Sequence, residues 1–117
     1  MIAGVHAQAI AAVDGARLVG VVSRSAERGG EFIAKHGGDT VAATVEELVA
    51  QPGINVLCVT TPSGAHLEPA LAAIAAGKHL VVEKPIEITT ARVDELLDAA
   101  AKAGVRVAPI FQQRFSE

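Results

Sequence analysis

Short apolar runs alternate with helical patterns along the whole chain, and this alternation limits its fold more than any other feature. Leu18 to Val22, Ile54 to Thr60, His79 to Glu83 and Val105 to Ala108 are apolar stretches of strand length, with a weaker one over Thr40 to Ala43. Continuous apolar runs of this kind suit strands covered on both faces, as in a parallel sheet. Between them, apolar residues recur at helical spacing: Leu67, Leu71 and Ile74 fall at i, i+4 and i+7, while Val93, Leu96, Leu97 and Ala100 make one stripe.

Local signals mark the ends of these helices. Ser25 can cap a helix running to about His36 and stopped by Gly37-Gly38, and Thr44 with Glu47 has the spacing of a capping box. Pro69 is tolerated only in a first turn, so the next helix begins near His66 and ends at Gly77. Thr89 or Thr90 caps a final helix closed by Gly104. Pro52-Gly53 and Pro62-Ser63-Gly64 are turns. A doubly wound sheet ordinarily begins with a strand, but Ile2 to Val13 reads as a helix with Ile10 and Val13 on its apolar face. The expected fold is therefore α/β, a doubly wound, mainly parallel sheet that lacks its usual first strand.

Composition removes several function classes. A chain of 117 residues is one domain or part of a larger one, able to bury roughly two thirds of its unfolded surface. A net charge of −3 gives no electrostatic footprint for nucleic acid or an anionic membrane. No apolar run approaches the ~20 residues that span a bilayer, and no basic-then-apolar leader opens the chain. Three Phe without Trp or Tyr leave few platforms for base stacking. Cys58, the single cysteine, reads as a small core residue and fits a reducing cytoplasm. No spacing of Cys, His, Asp or Glu resembles a metal site.

Four places can carry chemistry. In Ile2-Ala3-Gly4-Val5-His6, Ala3 can be the last small residue of a phosphate-binding Gly-x-Gly-x-x-Gly/Ala turn, although these residues taken alone read first as an ordinary Ala-rich helix. Ser23 lies 20 positions later, the interval that separates such a turn from the residue meeting the ribose. Ser23 and Arg24 offer a hydroxyl and a guanidinium in place of an acid, which suits a 2′-phosphate and leans the reading towards NADP over NAD. The alternative is a solvated strand end.

Thr60-Thr61-Pro62 and His66 follow the central apolar strand and can line a nicotinamide pocket, although a lone His at a helix start is as readily a local hydrogen-bonding residue. Glu83-Lys84-Pro85 closes the next strand, where open α/β sheets bind their ligands. There Glu83 can accept from ribose hydroxyls while Lys84 reaches a reacting carbinol; the bland alternative is a surface ion pair. The proline restricts Lys84 to an extended backbone.

Cys58-Val59-Thr60-Thr61-Pro62-Ser63-Gly64-Ala65-His66, then Ala75-Ala76-Gly77-Lys78-His79, then Val82-Glu83-Lys84-Pro85-Ile86 closely resemble the glucose–fructose oxidoreductase/inositol dehydrogenase/rhizopine-catabolism (Gfo/Idh/MocA) family. The resemblance covers essentially the whole chain, as the family's amino-terminal Rossmann domain. It implies an NAD(P)-dependent oxidoreductase acting on a sugar, cyclitol or related secondary alcohol or aldehyde. Lys84 is then the catalytic residue that orients substrate and cofactor. Ile2, Ala3, Ser23, Arg24, Thr60, Thr61, Pro62, His66, Glu83, Lys84, Gln112 and Arg114 are the expected cofactor contacts.

Residues 1–109 would form a partial NAD(P)-binding domain, and residues 110–117, with Gln112 to Phe115, the crossover towards a substrate domain that supplies an Asp and a His. The first strand, two phosphate-loop glycines and that second domain are not among the 117 residues. The chain is accordingly expected to be part of a longer, cytoplasmic, homo-oligomeric enzyme, inactive alone, with a small-molecule substrate and neither nucleic acid nor membrane as partner. If the missing strand is central, the strands beginning near Leu18 and Ile54 each present an unpaired edge. A non-catalytic nucleotide-sensing or protein-interaction module, or a flavodoxin-like or receiver domain, remains compatible with the layered pattern.

Overall fold

A computed structural model of the chain describes residues 2–116; Met1, at the expected glycine turn, and Glu117, at the end of the expected crossover, lie outside the described residues. In chain order the elements are α1 (Ile2–Ala12), β1 (Gly20–Val22), α2 (Ala26–His36), β2 (Thr40–Ala42), α3 (Val45–Val49), β3 (Val56–Val59), α4 (Leu67–Ala75), β4 (His79–Val82), α5 (Thr90–Ala103) and β5 (Val107–Pro109), followed by a 3-10 turn at Gln112–Phe115. This is the expected order. The described residues divide after Ile54 into two units, treated separately below.

In the first unit β1 and β2 pair in parallel, with Gly20 opposite Thr40 and Val22 opposite Ala42. The Ser25 hydroxyl caps α2 by accepting from the Arg28 N–H at 3.2 Å. Gly29 is buried where α2 meets this sheet; a Cβ there would overlap Val41 Cγ1 and stand 3.1 Å from Ser23 Cβ. Glycine is thus what lets the helix approach the strands so closely. Thr44 Oγ1 accepts from the Glu47 N–H at 3.2 Å, but the Glu47 carboxylate reaches back to the Ala43 N–H at 2.9 Å, one residue before the cap. In α1 the buried residue is Ala7, not the expected Ile10 and Val13. Val13 lies past the end of the helix and is 57% exposed, so it has left the apolar face assigned to it.

The second unit holds a three-stranded parallel sheet with β4 in the centre: Val59 is opposite Val82, and Val82 opposite Pro109. Leu57 and Val59 of β3 and Leu80 and Val82 of β4 are buried, together with Leu67, Ala70, Ala73 and Ile74 of α4 and Leu96 and Ala100 of α5. Each fully buried leucine or valine contributes about 1.5–3 kcal/mol. Cys58 and Val81, which alternate with these residues, are only half-buried, so the strands are covered unequally on their two faces. The α5 stripe is narrower than the spacing suggested, since Leu97 is 42% exposed. Gly77, at φ 73°, reverses the chain after α4, with Gly77 N–H donating to Ile74 O and Lys78 N–H to Ala73 O, both at 2.9 Å. Within their own sheets, β1 and β3 each have a paired strand on one side only.

Helix α4 begins in an unexpected way. His66 stands at its cap and gives no side-chain cap bond. The carboxylate of Glu87 fills that role instead: its Oε2 accepts from the N–H groups of His66 at 3.1 Å and Leu67 at 3.0 Å, and its Oε1 accepts from Ile88 N–H at 2.8 Å. Arg92 Nη2 donates to the same Oε2 at 3.3 Å and to Glu68 at 2.9 and 3.1 Å. Burial pushes the Glu87 carboxyl up, but the Ile88 and Leu67 N–H groups and the Arg92 guanidinium outweigh it and hold it below its ordinary value of 4.5. A carboxyl held low in the folded state stabilises the fold above its unfolded value. That contribution is lost as pH falls through the folded value.

Gly29→Ala should cost about 1–3 kcal/mol in chemical denaturation because of overpacking. Gly30→Ala, whose Cβ would meet nothing within 4 Å, should be neutral or stabilise by up to about 1 kcal/mol. In thermal melts across pH, the wild-type midpoint should fall as pH drops below the ordinary carboxylate value, with a flatter acid limb in Glu87→Gln. Identical acid limbs would remove Glu87 from that account.

Candidate functional site

The carboxyl ends of β3, β4 and β5 lie side by side because the three strands are parallel and in register. The residues expected to carry chemistry in the second unit come from the segments that leave these ends. Thr60, Thr61 and Pro62 follow β3, Glu83 and Lys84 follow β4, and Gln112 and Arg114 lie in the turn after β5. This edge is where an open α/β sheet receives ligands.

After β3 the chain folds tightly. Thr61 Oγ1 donates to Ala65 O at 2.7 Å, and Ala65 N–H donates to Pro62 O at 2.9 Å. The Thr61 hydroxyl proton is therefore engaged locally. Thr60 is half-buried, while Thr61 and Pro62 are exposed.

His66 follows the bland alternative left open for it. Its ring is 1% exposed and does not line an open pocket. Nε2 lies 2.8 Å from Thr61 O; Nδ1 lies 2.8 Å from Pro85 O and 3.2 Å from Ile86 O. Carbonyl acceptors thus face both ring nitrogens, and the imidazole ties the turn after β3 to the turn after β4. A neutral ring donates from one nitrogen only.

Glu83 is also buried, at 9% exposure, and its Oε2 accepts from the Lys84 N–H at 3.2 Å. Lys84 is exposed and precedes a cis peptide bond to Pro85. Its side chain borders a pocket of about 560 Å³ that is otherwise lined by Phe111, Gln112, Gln113 and Arg114. The Arg114 guanidinium carbon stands 5.5 Å from the Phe111 ring centroid, a cation–π distance. The pocket wall therefore offers an ammonium, a guanidinium, an aromatic face and two carboxamides.

The remaining candidates belong to the first unit. Ile2 and Ala3 start α1, where Ile2 is exposed and Ala3 half-buried. Ser23 follows β1 and its hydroxyl is used locally, donating to Ser25 O at 2.8 Å and accepting from Ser25 N–H at 3.3 Å. Arg24 beside it is exposed. Any recognition of an anion here therefore falls mainly to the guanidinium. Cys58 is half-buried, and burial pushes its thiol up, so it is not primed as a nucleophile. Among the described residues no three His, Cys, Asp or Glu side chains stand close enough to hold a metal ion.

Sequence reading passed over Glu87 and Arg92. One signal was available: α4 starts at His66 without Ser, Thr, Asp or Asn at its cap, so its first N–H groups must find an acceptor elsewhere.

The chain resembles known proteins along most of its length. It is 41% identical over 91 residues to a 1,5-anhydro-D-fructose reductase of Ensifer adhaerens, a match covering 78% of this chain and 27% of that protein. With a scyllo-inositol 2-dehydrogenase (NADP(+)) of Bacillus subtilis (strain 168) it shares 34% identity over 98 residues, 84% of this chain and 30% of the relative. Its fold superposes with TM-score 0.86 on the crystal structure of GenD2 from gentamicin A biosynthesis in complex with NAD, at 32% identity, covering 93% of this chain and 31% of that one. The chain thus spans roughly three tenths of the length of these relatives. Residues 1–111 match the model of the Gfo/Idh/MocA oxidoreductase family, NAD-binding Rossmann fold, and the chain belongs to that family.

Proposed function

We propose that this chain is the nucleotide-binding part of an NAD(P)-dependent oxidoreductase that acts on a secondary alcohol or aldehyde carbon of a sugar or cyclitol. Residues 1–109 form its cofactor domain and residues 110–117 lead towards a substrate domain elsewhere in a longer polypeptide. The observation that carries this reading is the place of Lys84: directly after the central strand of a parallel sheet, exposed, and beside a pocket walled by Phe111, Gln112, Gln113 and Arg114.

The residues at this edge fit a dinucleotide. Phe111 and Arg114 offer an aromatic face and a cation, and the carboxamides of Gln112 and Gln113 can donate and accept hydrogen bonds at once. When bound, the nicotinamide supplies or accepts hydride. Lys84 would direct its ammonium at the substrate oxygen, holding it by a charge-assisted hydrogen bond and giving it a proton on reduction; on oxidation the neutral amine would take that proton. Glu83, buried next to it, accepts from ribose hydroxyls. Thr60, Thr61 and Pro62 pack along the cofactor, and His66 holds their turn without touching the ligand.

Ile2 and Ala3, at the start of α1, would hold the pyrophosphate, and Ser23-Arg24 would hold the adenosine ribose. The exposed guanidinium favours NADP. The single half-buried cysteine suits a cytoplasmic setting, with a homo-oligomeric assembly and no nucleic acid or membrane as partner.

Two measurements on the full polypeptide test this. Turnover can be followed by nicotinamide absorbance with scyllo-inositol and 1,5-anhydro-D-fructose as probe substrates. There Lys84→Ala should lower kcat by about 10²–10⁴-fold with the melting curve preserved; unchanged kcat removes Lys84 from the chemistry. In calorimetric titrations, Arg24→Ala should weaken NADP binding by about tenfold, or ~1.4 kcal/mol, and leave NAD binding nearly unchanged. Equal losses for both nucleotides would withdraw the 2′-phosphate assignment.

A further inference from the structure

Glu87 is not among the groups assigned to substrate or cofactor, yet the turn carrying Lys84 is fastened through it. Its side chain has no exposed surface. The carboxylate holds the His66 and Leu67 N–H groups at the start of α4 with one oxygen and the Ile88 N–H of its own turn with the other. His66, fixed by its backbone in this way, reaches with its ring to Thr61 O on one side and to Pro85 O and Ile86 O on the other. Pro85 and Ile86 are the two residues that separate Lys84 from Glu87. Two buried side chains therefore grip the short segment after Lys84 from both ends.

A carboxylate that served only to cap α4 would need the helix N–H groups alone. Glu87 also binds Ile88 N–H, and it does so in the turn that positions Lys84. Arg92 keeps the carboxylate paired by donating to it and to Glu68 across the start of α4. The burial of an ionised group at this point is thus compensated by three N–H groups and a guanidinium.

We propose that Glu87 is a positioning residue for Lys84: through its buried carboxylate and the His66 ring, it sets the direction in which Lys84 leaves the carboxyl end of β4. The consequence for catalysis rests on the reading of Lys84 given above, whereas the effect on Lys84 itself does not.

The test uses the full polypeptide, wild type, Glu87→Gln and Glu87→Asp, with folding checked by circular dichroism. Trace labelling with acetic anhydride, read by mass spectrometry, gives the reactivity of Lys84 relative to Lys102, which lies in the last turn of α5. Glutamine presents an amide where N–H donors already point, so in Glu87→Gln this ratio should change by about threefold or more, because an amine's reactivity follows its surroundings. Glu87→Asp, which keeps the charge, should restore most of the wild-type ratio.

In the probe-substrate assay, kcat should fall about 10- to 100-fold in Glu87→Gln, while cofactor affinity stays nearly constant. A folded Glu87→Gln whose labelling ratio matches wild type overturns the proposal. If Glu87→Gln does not fold, the same ratio in Glu87→Asp decides: a smaller shift in the same sense supports the proposal, and a wild-type ratio overturns it. Failure of both variants to fold makes Glu87 a residue of the fold alone and also overturns it. An altered ratio in a protein that binds neither NAD nor NADP would sink the oxidoreductase reading while leaving the positioning role in place.

Discussion

Helix α4 starts without a side chain of its own to meet its first N–H groups, and a carboxylate twenty residues further along the chain meets them. Each of those groups left buried and unpaired would cost about 1–3 kcal/mol. Glu87 satisfies two of them, and the Arg92 guanidinium keeps the ionised form favoured in a buried place. This one interaction also decides geometry. It joins the beginning of α4 to the turn after β4, and the His66 ring extends the connection to the turn after β3. The loops at the carboxyl edge of the sheet are thus braced against one another by buried polar contacts.

That bracing matters because Lys84 stands on one of these turns. Lys84 is exposed at the end of the central strand, and Phe111, Gln112, Gln113 and Arg114 border the pocket beside it. A mobile lysine on a flexible turn would spend binding energy on being ordered. One whose turn is held by its neighbours has already met that cost. The fold provides parallel strands that end together, and the buried pair Glu87 and His66 stiffens what those ends present.

Much of the fold was legible because its signals are local. Ser25 and Thr44 cap the helices they were expected to cap, and of Thr89 and Thr90 it is Thr89 that caps α5, since a hydroxyl reaches an N–H only three residues ahead. The alternation of strands and helices is a pattern of burial, and burial fixes the architecture. Exact faces were less legible. Val13 and Leu97 carry apolar side chains at plausible spacing, yet one has passed the end of its helix and the other stands on the flank of a stripe already filled by Leu96 and Ala100. Of the candidate site, the Lys84 turn announced itself through Glu83-Lys84-Pro85. Glu87 did not, because its partners lie 20 and 21 residues away in sequence and only the folded chain brings them together. His66 was visible as an imidazole at a helix start, but whether it faced a ligand or the interior depends on contacts that no spacing encodes.

On the proposed function, the carboxyl edge of β3, β4 and β5 receives the reactive end of a nicotinamide dinucleotide, with Lys84 beside it. A crystal structure of the full polypeptide grown with NADP measures this most directly. The nicotinamide ring is expected against the pocket bordered by Lys84 and Phe111 to Arg114, with the Lys84 ammonium within hydrogen-bonding distance of the space a substrate oxygen would occupy. A dinucleotide bound elsewhere, or one whose nicotinamide points away from Lys84, would contradict it.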